Sequence, residues 1–185
     1  MSALEFLSVS AASDGAIAKS SMERAQREAG ARFEERGGWL VPVAIPGEGE
    51  HAAAGIADLS HLCKFEVRPA LDGVDGDAVH YRISSRRSLV VGGSKPKGSL
   101  VLDVTGALGI LAVVGREAET VIRRLTHLHR FPSGGEVAHI TAHVLNPSEN
   151  TYWIVFPQEY GHYLWEVAVD RARPLGGGPI GVDAL

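Results

Sequence analysis

The stretch from Gly30 to Val67 constrains the fold more than any other part of the chain. Its first residues are typical of the end of a helix, because the pair Gly37–Gly38 supplies the glycine at which many helices stop. An aromatic-led strand begins at Trp39, and a short Ala-rich segment then precedes a turn that opens a second strand. Such rapid alternation of short helices and strands predicts a mixed fold in which helices pack on sheets.

Turn residues and apolar periodicity divide the remainder of the chain into further short elements. The predicted helices, the first of them capped by Ser20 or Ser21, cover residues 20–35, 48–54, 115–127 and 159–171. The predicted strands cover residues 39–45, 62–68, 79–83, 88–91, 100–104, 109–114, 137–144 and 152–156, and a turn is expected at 133–135. This order predicts an α+β fold with one continuous core.

The two ends of the chain differ in composition from its middle. Residues 1–20 are small, polar and rich in Ala and Ser, which indicates a flexible N-terminal arm. Residues 174–185 form a Gly/Pro-rich tail, in which Gly176–Gly178 lack the Lys-Ser/Thr of a phosphate-binding loop and are typical of a flexible linker. A single domain is therefore expected over residues 21–173.

Composition and charge argue against several classes of protein. The net charge of −4 and the lack of a basic block argue against binding to nucleic acid. No apolar run approaches the roughly 20 residues of a membrane helix, so no membrane partner is expected. The single cysteine, Cys63, excludes an internal disulfide framework and a multi-cysteine metal site. The expected compartment is the reducing cytoplasm.

The sharpest local motif is Asp58-Leu-Ser-His61. Asp and Ser side chains accept hydrogen bonds from backbone amides two residues further on, which builds a tight turn before a strand. Two interpretations stay open, namely a turn that fixes the entry of the strand and a turn that shapes a ligand cavity. His61 is either a titrating functional group or an ordinary packed or solvated residue.

A second segment repeats the order of this motif. Asp103-Val104-Thr105 again places Asp, an aliphatic residue and a hydroxyl residue before a strand. Internal duplication would explain the repeat, and so would chance, because each shared signature is only three residues long.

Other reactive side chains give weaker signals. His139 and His143 would share one face of a strand, but no nearby Cys or carboxylate completes a tetrahedral ligand set, so no metal is expected. Cys63 has no assignable partner to stabilise a thiolate, and a buried structural role is expected for it rather than a nucleophilic one.

Several segments resemble, in the same order, the glycine-cleavage T-protein superfamily of folate-binding aminomethyltransferases. The first is the Gly30–Val67 stretch with its Asp58-Leu-Ser-His61 turn. Val104–Ala118 is similar to the strand–turn–helix of sarcosine oxidase gamma subunits, which are also the nearest in size. Tyr152–Glu166, with its Pro and its Leu-Trp, resembles the strand–helix unit near the end of the T-protein folate domain.

The resemblance implies a fold of two ferredoxin-like α/β lobes of the T-protein folate-binding type. It further implies tetrahydrofolate as cofactor and, as partners, the other subunits of an amine-oxidising or demethylating complex. The residues that it marks as candidates for cofactor binding are Trp39, Asp58, Ser60, His61, Tyr152 and Trp153.

Departures from the family pattern limit the activity to be expected. Trp153 stands where the family has a Glu that holds the pterin ring, and an indole only donates hydrogen bonds. No catalytic Asp can be aligned with the short loop Asp72–Asp77. The sequence also ends before the family's Arg-Asp segment and C-terminal domain. We therefore expect a subunit that is not catalytic alone, and the alternative is a compact tetrahydrofolate-dependent aminomethyl or methyl transferase.

The aromatic side chains yield one structural expectation. Because aromatic residues dominate buried area, those on the predicted strands and the last helix should gather around or beneath one central cleft. For Trp165 the favoured interpretation is a plain core residue on a helix face that packs on a sheet. The set comprises Trp39, Phe65, Tyr152, Trp153 and Trp165.

Overall fold

The computed structural model describes residues 17–74 and 76–185. Its α-helices are α1 (Glu23–Glu28), α2 (Ala118–Leu125) and α3 (Gly161–Ala172). Its strands are β1 (Ala18–Lys19), β2 (Arg32–Arg36), β3 (Trp39–Ala44), β4 (Gly55–Asp58), β5 (Lys64–Arg68), β6 (Val79–Ser84), β7 (Arg87–Val91), β8 (Leu100–Asp103), β9 (Leu108–Val114), β10 (Ser133–Val137), β11 (Ile140–Ser148), β12 (Thr151–Pro157) and β13 (Gly178–Pro179).

A six-stranded sheet forms the centre of the molecule, in the order β10-β11-β12-β9-β4-β13. All its neighbours are antiparallel except β13, which runs parallel to β4. Along β9, Leu111 and Val113 face one side and Ile110 and Ala112 the other, as the two-residue period of a strand requires. Because both sides are covered, β9 reads in the sequence as an unbroken apolar run.

The three helices cover one face of this sheet. On α2, the buried residues Ala118, Val121, Ile122 and Leu125 recur with the helical period and form one apolar stripe. Burial of each Leu- or Ile-sized side chain contributes roughly 2 kcal/mol. Trp165 on α3 is 4% exposed within the same core, which confirms its interpretation as a core residue. No helix in the described ranges is long and apolar enough to cross a membrane.

A four-stranded antiparallel sheet, in the order β6-β7-β5-β8, packs on the opposite face. Leu89 and Val91 of β7 point inward and join Ile110 and Val155 in a second apolar layer. The two layers thus lie on opposite sides of one shared sheet, and the α+β class predicted from the sequence is confirmed. A small sheet, β1-β3-β2, completes the described fold.

The first predicted helix is wrong for most of its length. Only Glu23–Glu28 is helical, and Gly30, at a φ of 81°, follows its end. Residues 32–44 instead form a hairpin in which Gly37 and Gly38, at φ of 59° and 77°, make the two-residue turn. Positive φ at both turn positions suits the twist of a hairpin, so the glycine pair closes a turn rather than a helix.

Two shorter predictions are also corrected. The helix expected at 48–54 is a single 3-10 turn over Glu48–Glu50. The turn expected at 133–135 lies within β10, and the actual turn is Ala138–His139, where the chain passes from β10 to β11.

The Gly/Pro-rich tail is a packed part of the fold, so its interpretation as a flexible linker is wrong. Gly178–Pro179 pairs with Gly55–Ile56 at the edge of the central sheet. A Cβ on Gly177 would collide with the carbonyl oxygen of Ala54, so this glycine serves close backbone approach. Residues 1–16 of the expected N-terminal arm lie outside the described residues.

Candidate functional site

The Asp58 turn, residues Asp58–Ser60, carries the chain from β4 in the central sheet to β5 in the four-stranded sheet. Asp58 is 2% exposed. One carboxylate oxygen accepts a 2.8 Å hydrogen bond from the Ser60 amide, and the other accepts one of 2.8 Å from Gln26 Nε2 on α1. The turn therefore has the side-chain hydrogen bond that the sequence predicted, and both carboxylate oxygens are engaged within the chain.

The Asp103 turn, residues Asp103–Thr105, returns the chain from β8 to β9 and repeats this geometry. The Asp103 carboxylate accepts a 2.9 Å hydrogen bond from the Thr105 amide. The Thr105 hydroxyl accepts one from the Lys64 amide at 2.9 Å, just as Ser60 Oγ accepts one from the Ile110 amide at 3.1 Å.

Backbone hydrogen bonds also link each turn to the strand that follows the other turn. The Leu59 amide donates to the Ile110 carbonyl, and the Val104 amide donates to the Lys64 carbonyl, each at 2.9 Å. Each turn thus holds the strand that follows the other one. The repeat noticed in the sequence is a structural repeat, in which Lys64 and Ile110 occupy equivalent positions.

Lys64 is the residue that sequence reasoning missed. Its side chain is 0% exposed, and its ammonium donates to the carbonyls of Ser60 at 2.7 Å and Leu62 at 2.8 Å. The Nζ atom also lies 6.0 Å from the centre of the Trp39 ring. Burial lowers the pKa of Lys64 to about 8, and the nearby charge of Asp58 opposes this shift. The only signal in the sequence was a lysine three residues after the end of the Asp58-Leu-Ser-His61 motif.

His61 stands at the mouth of the Asp58 turn and is half-buried. Burial lowers the pKa of its imidazole; the charge of Asp58 opposes the shift, while that of Lys64 adds to it. The ring is therefore neutral at physiological pH and can accept as well as donate a hydrogen bond.

Three of the six candidate residues meet at one place. Trp39, Asp58 and His61 line a shallow depression that has no room for even one water molecule, whereas typical ligand sites enclose roughly 300–1,000 Å³. Ser60 lies beside it but is 4% exposed and occupied by its bond to the Ile110 amide.

Tyr152 and Trp153 are not brought to this depression. As neighbours on β12 they point to opposite faces of the central sheet, Tyr152 into the helix-side core and Trp153 into the layer between the sheets. Tyr152 packs edge-on against Phe131, with ring centres 5.4 Å apart. Burial raises the pKa of its hydroxyl, with a further contribution from Glu119.

The expectation that the aromatic residues gather around one cleft is therefore wrong. Phe65 lies on the outer face of the four-stranded sheet, and Trp165 lies with Tyr152 under the helices. The physical reason is the strand period, which sends adjacent aromatic residues to different layers.

The remaining reactive side chains are also placed. Cys63 is exposed, contrary to the expectation of burial, because the adjacent Lys64 takes the inward position at the start of β5. His143 packs against the Tyr81 ring at 5.2 Å, whereas His139 is exposed in the β10–β11 turn. Within residues 17–74 and 76–185, no three His, Cys, Asp or Glu side chains gather in a way that could hold a metal.

The chain is similar in sequence to aminomethyltransferases. No family model matches the chain. An aminomethyltransferase from Chlorobium luteolum is 25% identical over 85% of this chain, which spans 60% of that protein's length. An aminomethyltransferase from Mycobacterium leprae is 46% identical over 57 residues, or 28% of this chain.

Solved structures show the same fold. Glycine cleavage system aminomethyltransferase T from Bartonella henselae matches 91% of this chain with a TM-score of 0.64 and 16% identity, and this chain covers 60% of that protein. A chain of heterotetrameric sarcosine oxidase from Corynebacterium sp. U-96 matches 71% of this chain with a TM-score of 0.58 and 12% identity. In that comparison 91% of the sarcosine oxidase chain is covered.

Proposed function

We propose that this chain, which is similar in sequence and fold to aminomethyltransferases of the T-protein folate-binding superfamily, is a subunit of a tetrahydrofolate-linked complex. The complex oxidises or demethylates an amine, and this subunit has no activity of its own. It acts in the reducing cytoplasm, with which a free, exposed Cys63 is compatible.

The closed Asp58 turn is the observation that carries this proposal. Both oxygens of the Asp58 carboxylate are bound by groups of the same chain, and the depression beside it is small. A general acid or base must reach the proton it transfers within hydrogen-bond distance, directly or through one water. In this arrangement Asp58 fixes its own turn and ties it to α1, and it offers no group to a substrate.

Tetrahydrofolate does not fit the six candidate residues as one site. Trp39, Asp58 and His61 surround a depression too small for a pterin ring with its side chain, and Tyr152 and Trp153 face away from each other. We therefore assign no reaction step to the cofactor on this chain. It is the one-carbon carrier proposed for the whole complex.

A neighbour in fold supports a subunit role as well. A chain of heterotetrameric sarcosine oxidase shares the fold of this chain with a TM-score of 0.58. A compact aminomethyl or methyl transferase remains the second candidate. It is favoured by the 46% identity to the Mycobacterium leprae aminomethyltransferase, which is confined to 57 residues.

Turnover by the purified chain separates the two candidates. We expect the chain, incubated with an S-aminomethyl thioether donor and tetrahydrofolate under anaerobic conditions, to form no 5,10-methylenetetrahydrofolate, ammonia or free thiol above a protein-free control. A complex isolated through a tag on this chain, supplied with sarcosine, tetrahydrofolate and oxygen as electron acceptor, should form 5,10-methylenetetrahydrofolate. Turnover by the isolated chain, lost in Asp58→Asn but kept in Asp103→Asn, would establish the transferase instead.

A further inference from the structure

One of several cavities, of about 230 Å³, lies on the helix-covered side of the molecule. It is enclosed by the end of α2, the β10–β11 turn and the outer part of α3. None of these elements takes part in the Asp58 turn. Among the residues that the structure describes, its walls carry Arg123, Arg124 and Arg171 but one carboxylate, that of Glu136, although the chain as a whole has a net charge of −4.

The charges of Arg124 and Arg171 are not compensated. Arg123 is paired with Glu119 at 2.8 Å. In the described ranges, by contrast, neither Arg124 nor Arg171 forms an ion pair, and one N–H of Arg124 donates to the Arg171 carbonyl at 3.1 Å. Both guanidinium groups are exposed at the cavity and retain free donors.

The turn on the opposite wall is strained. Ala138 and His139 have φ of 47° and 64°, and such a two-residue turn normally holds Asn or Gly. The Ala138 amide donates to the Leu125 carbonyl at 2.7 Å, which ties the turn to the end of α2. His139 also contacts Glu136 at 3.3 Å. The single acidic group of the wall is thus drawn to the imidazole and not to the two arginines.

One wall of the cavity is apolar, and it lies beside the wall that carries the arginines. Tyr163 on α3 is 42% exposed and lines the cavity together with the half-buried Val167. A ligand that fills it therefore needs a small carbon body as well as a charged group. Its volume lies below that of sites for drug-sized ligands.

We propose that this cavity binds a small phosphate monoester. Two uncompensated guanidinium groups match a dianion, and a phosphate ester carries close to two negative charges on one centre at neutral pH. Arginine presents a planar fork of donors that binds phosphate oxygens in pairs. A single carboxylate carries half that charge and would leave one arginine without a partner.

Helix electrostatics offer a competing explanation. Arg124 lies in the last turn of α2 and Arg171 in that of α3, where positive charge compensates the negative end of the helix dipole. Such a role predicts a loss of stability in arginine variants but no saturable anion binding. The experiment therefore measures both.

Calorimetric titration of the full chain with ribose 5-phosphate tests the proposal. We expect saturable binding that the double variant R124A/R171A weakens about tenfold or more, because charge-assisted hydrogen bonds are the strong ones. The control R86A/R116A removes the same charge at two exposed arginines outside the cavity and should bind within about twofold of the parent chain. If R124A/R171A does not fold, the exposed single variant R171Q should still weaken binding about threefold.

Three results would overturn the proposal. The first is no saturable binding of ribose 5-phosphate up to about 10 mM, far weaker than metabolite sites. The second is an equal loss in R124A/R171A and R86A/R116A, which would indicate general charge attraction. The third is tighter binding of citrate than of ribose 5-phosphate, which would assign the cavity to carboxylates. Neither the parent's turnover nor its binding of tetrahydrofolate enters any of these outcomes.

Discussion

The Asp58 turn and the Asp103 turn share one hydrogen-bond pattern and differ in their surroundings. Each carries the chain between the two main sheets, and each hydroxyl holds the strand that follows the other turn. Asp58 is buried and also binds Gln26, whereas Asp103 is exposed. A turn motif that recurs in two such settings is first of all a structural device.

Lys64 and Ile110, the equivalent residues bound by the two turns, differ more sharply in the chemistry of what they bury. Ile110 buries an apolar side chain between the sheets, whereas Lys64 buries an ammonium on two backbone carbonyls. A buried charge is costly unless it is paired and hydrogen-bonded. The buried polar groups around Asp58 and Lys64 therefore depend on one another more than those around Asp103 and Ile110 do. The following predictions test this difference in stability.

Removal of the two carboxylates should give the largest contrast. Asp58→Ala leaves the Gln26 amide and the Ser60 amide without their acceptor and takes a negative charge away from Lys64. We expect a loss of about 3–4 kcal/mol in the free energy of unfolding. Asp103→Ala loses one exposed turn bond and should cost about 0.5–1 kcal/mol. Urea unfolding measures both losses. Equal losses of unfolding free energy in Asp58→Ala and Asp103→Ala would contradict the proposed difference between the two turns.

Lys64 should make the stability of the fold depend on alkaline pH. Its pKa in the folded chain, about 8, lies below the ordinary value of 10.5. Between these values the unfolded chain binds more protons, so the free energy of unfolding should rise with pH. Below pH 8 the folded chain bears the full cost of burying the Lys64 ammonium. Loss of the proton removes this cost, so the free energy of unfolding should be higher by on the order of 2–3 kcal/mol at pH 10.

Urea unfolding between pH 7.5 and 10 measures this rise, and Lys64→Met is its control. The variant lacks the buried ammonium, so its stability should be nearly flat over the same window. Above pH 10 the raised pKa values of the buried Tyr81 and Tyr152 act in the opposite direction. A rise of the same size in Lys64→Met would show that Lys64 is not its source.

The hydroxyls of the two turns should give the smallest contrast. Ser60→Ala leaves the buried Ile110 amide without an acceptor and should cost about 1–2 kcal/mol. Thr105→Val does the same to the Lys64 amide, but at a half-buried position where water can replace the hydroxyl, so about 1 kcal/mol is expected. A larger loss for Thr105→Val in thermal and urea unfolding would reverse the order of the two turns.

Sequence patterns predicted those elements whose signal is local. Strand β9 was found because it is an unbroken apolar run, and the hairpin of β6 and β7 because its turn residues separate two apolar segments. Gly37–Gly38 was misassigned because a glycine pair can end a helix or close a hairpin, and only pairing with β3 decides between them.

The candidate site shows where local patterns fail. The hydrogen bond within the Asp58 turn is local and was predicted, but its link to Ile110 and the burial of Lys64 depend on a strand far away in the sequence. Likewise, the glycines of the tail were assigned to a linker, although they allow the backbone to approach Ala54 and pair at the sheet edge. Such contacts require the tertiary arrangement.

Titration of tetrahydrofolate into the isolated chain by anaerobic calorimetry tests the central claim most directly, namely that this chain alone does not form a folate site. The account predicts no saturable heat up to about 1 mM tetrahydrofolate, which corresponds to less than about 4 kcal/mol of binding free energy. A dissociation constant in the micromolar range, lost in Trp39→Ala or Trp153→Ala and kept in Trp165→Phe, would contradict it.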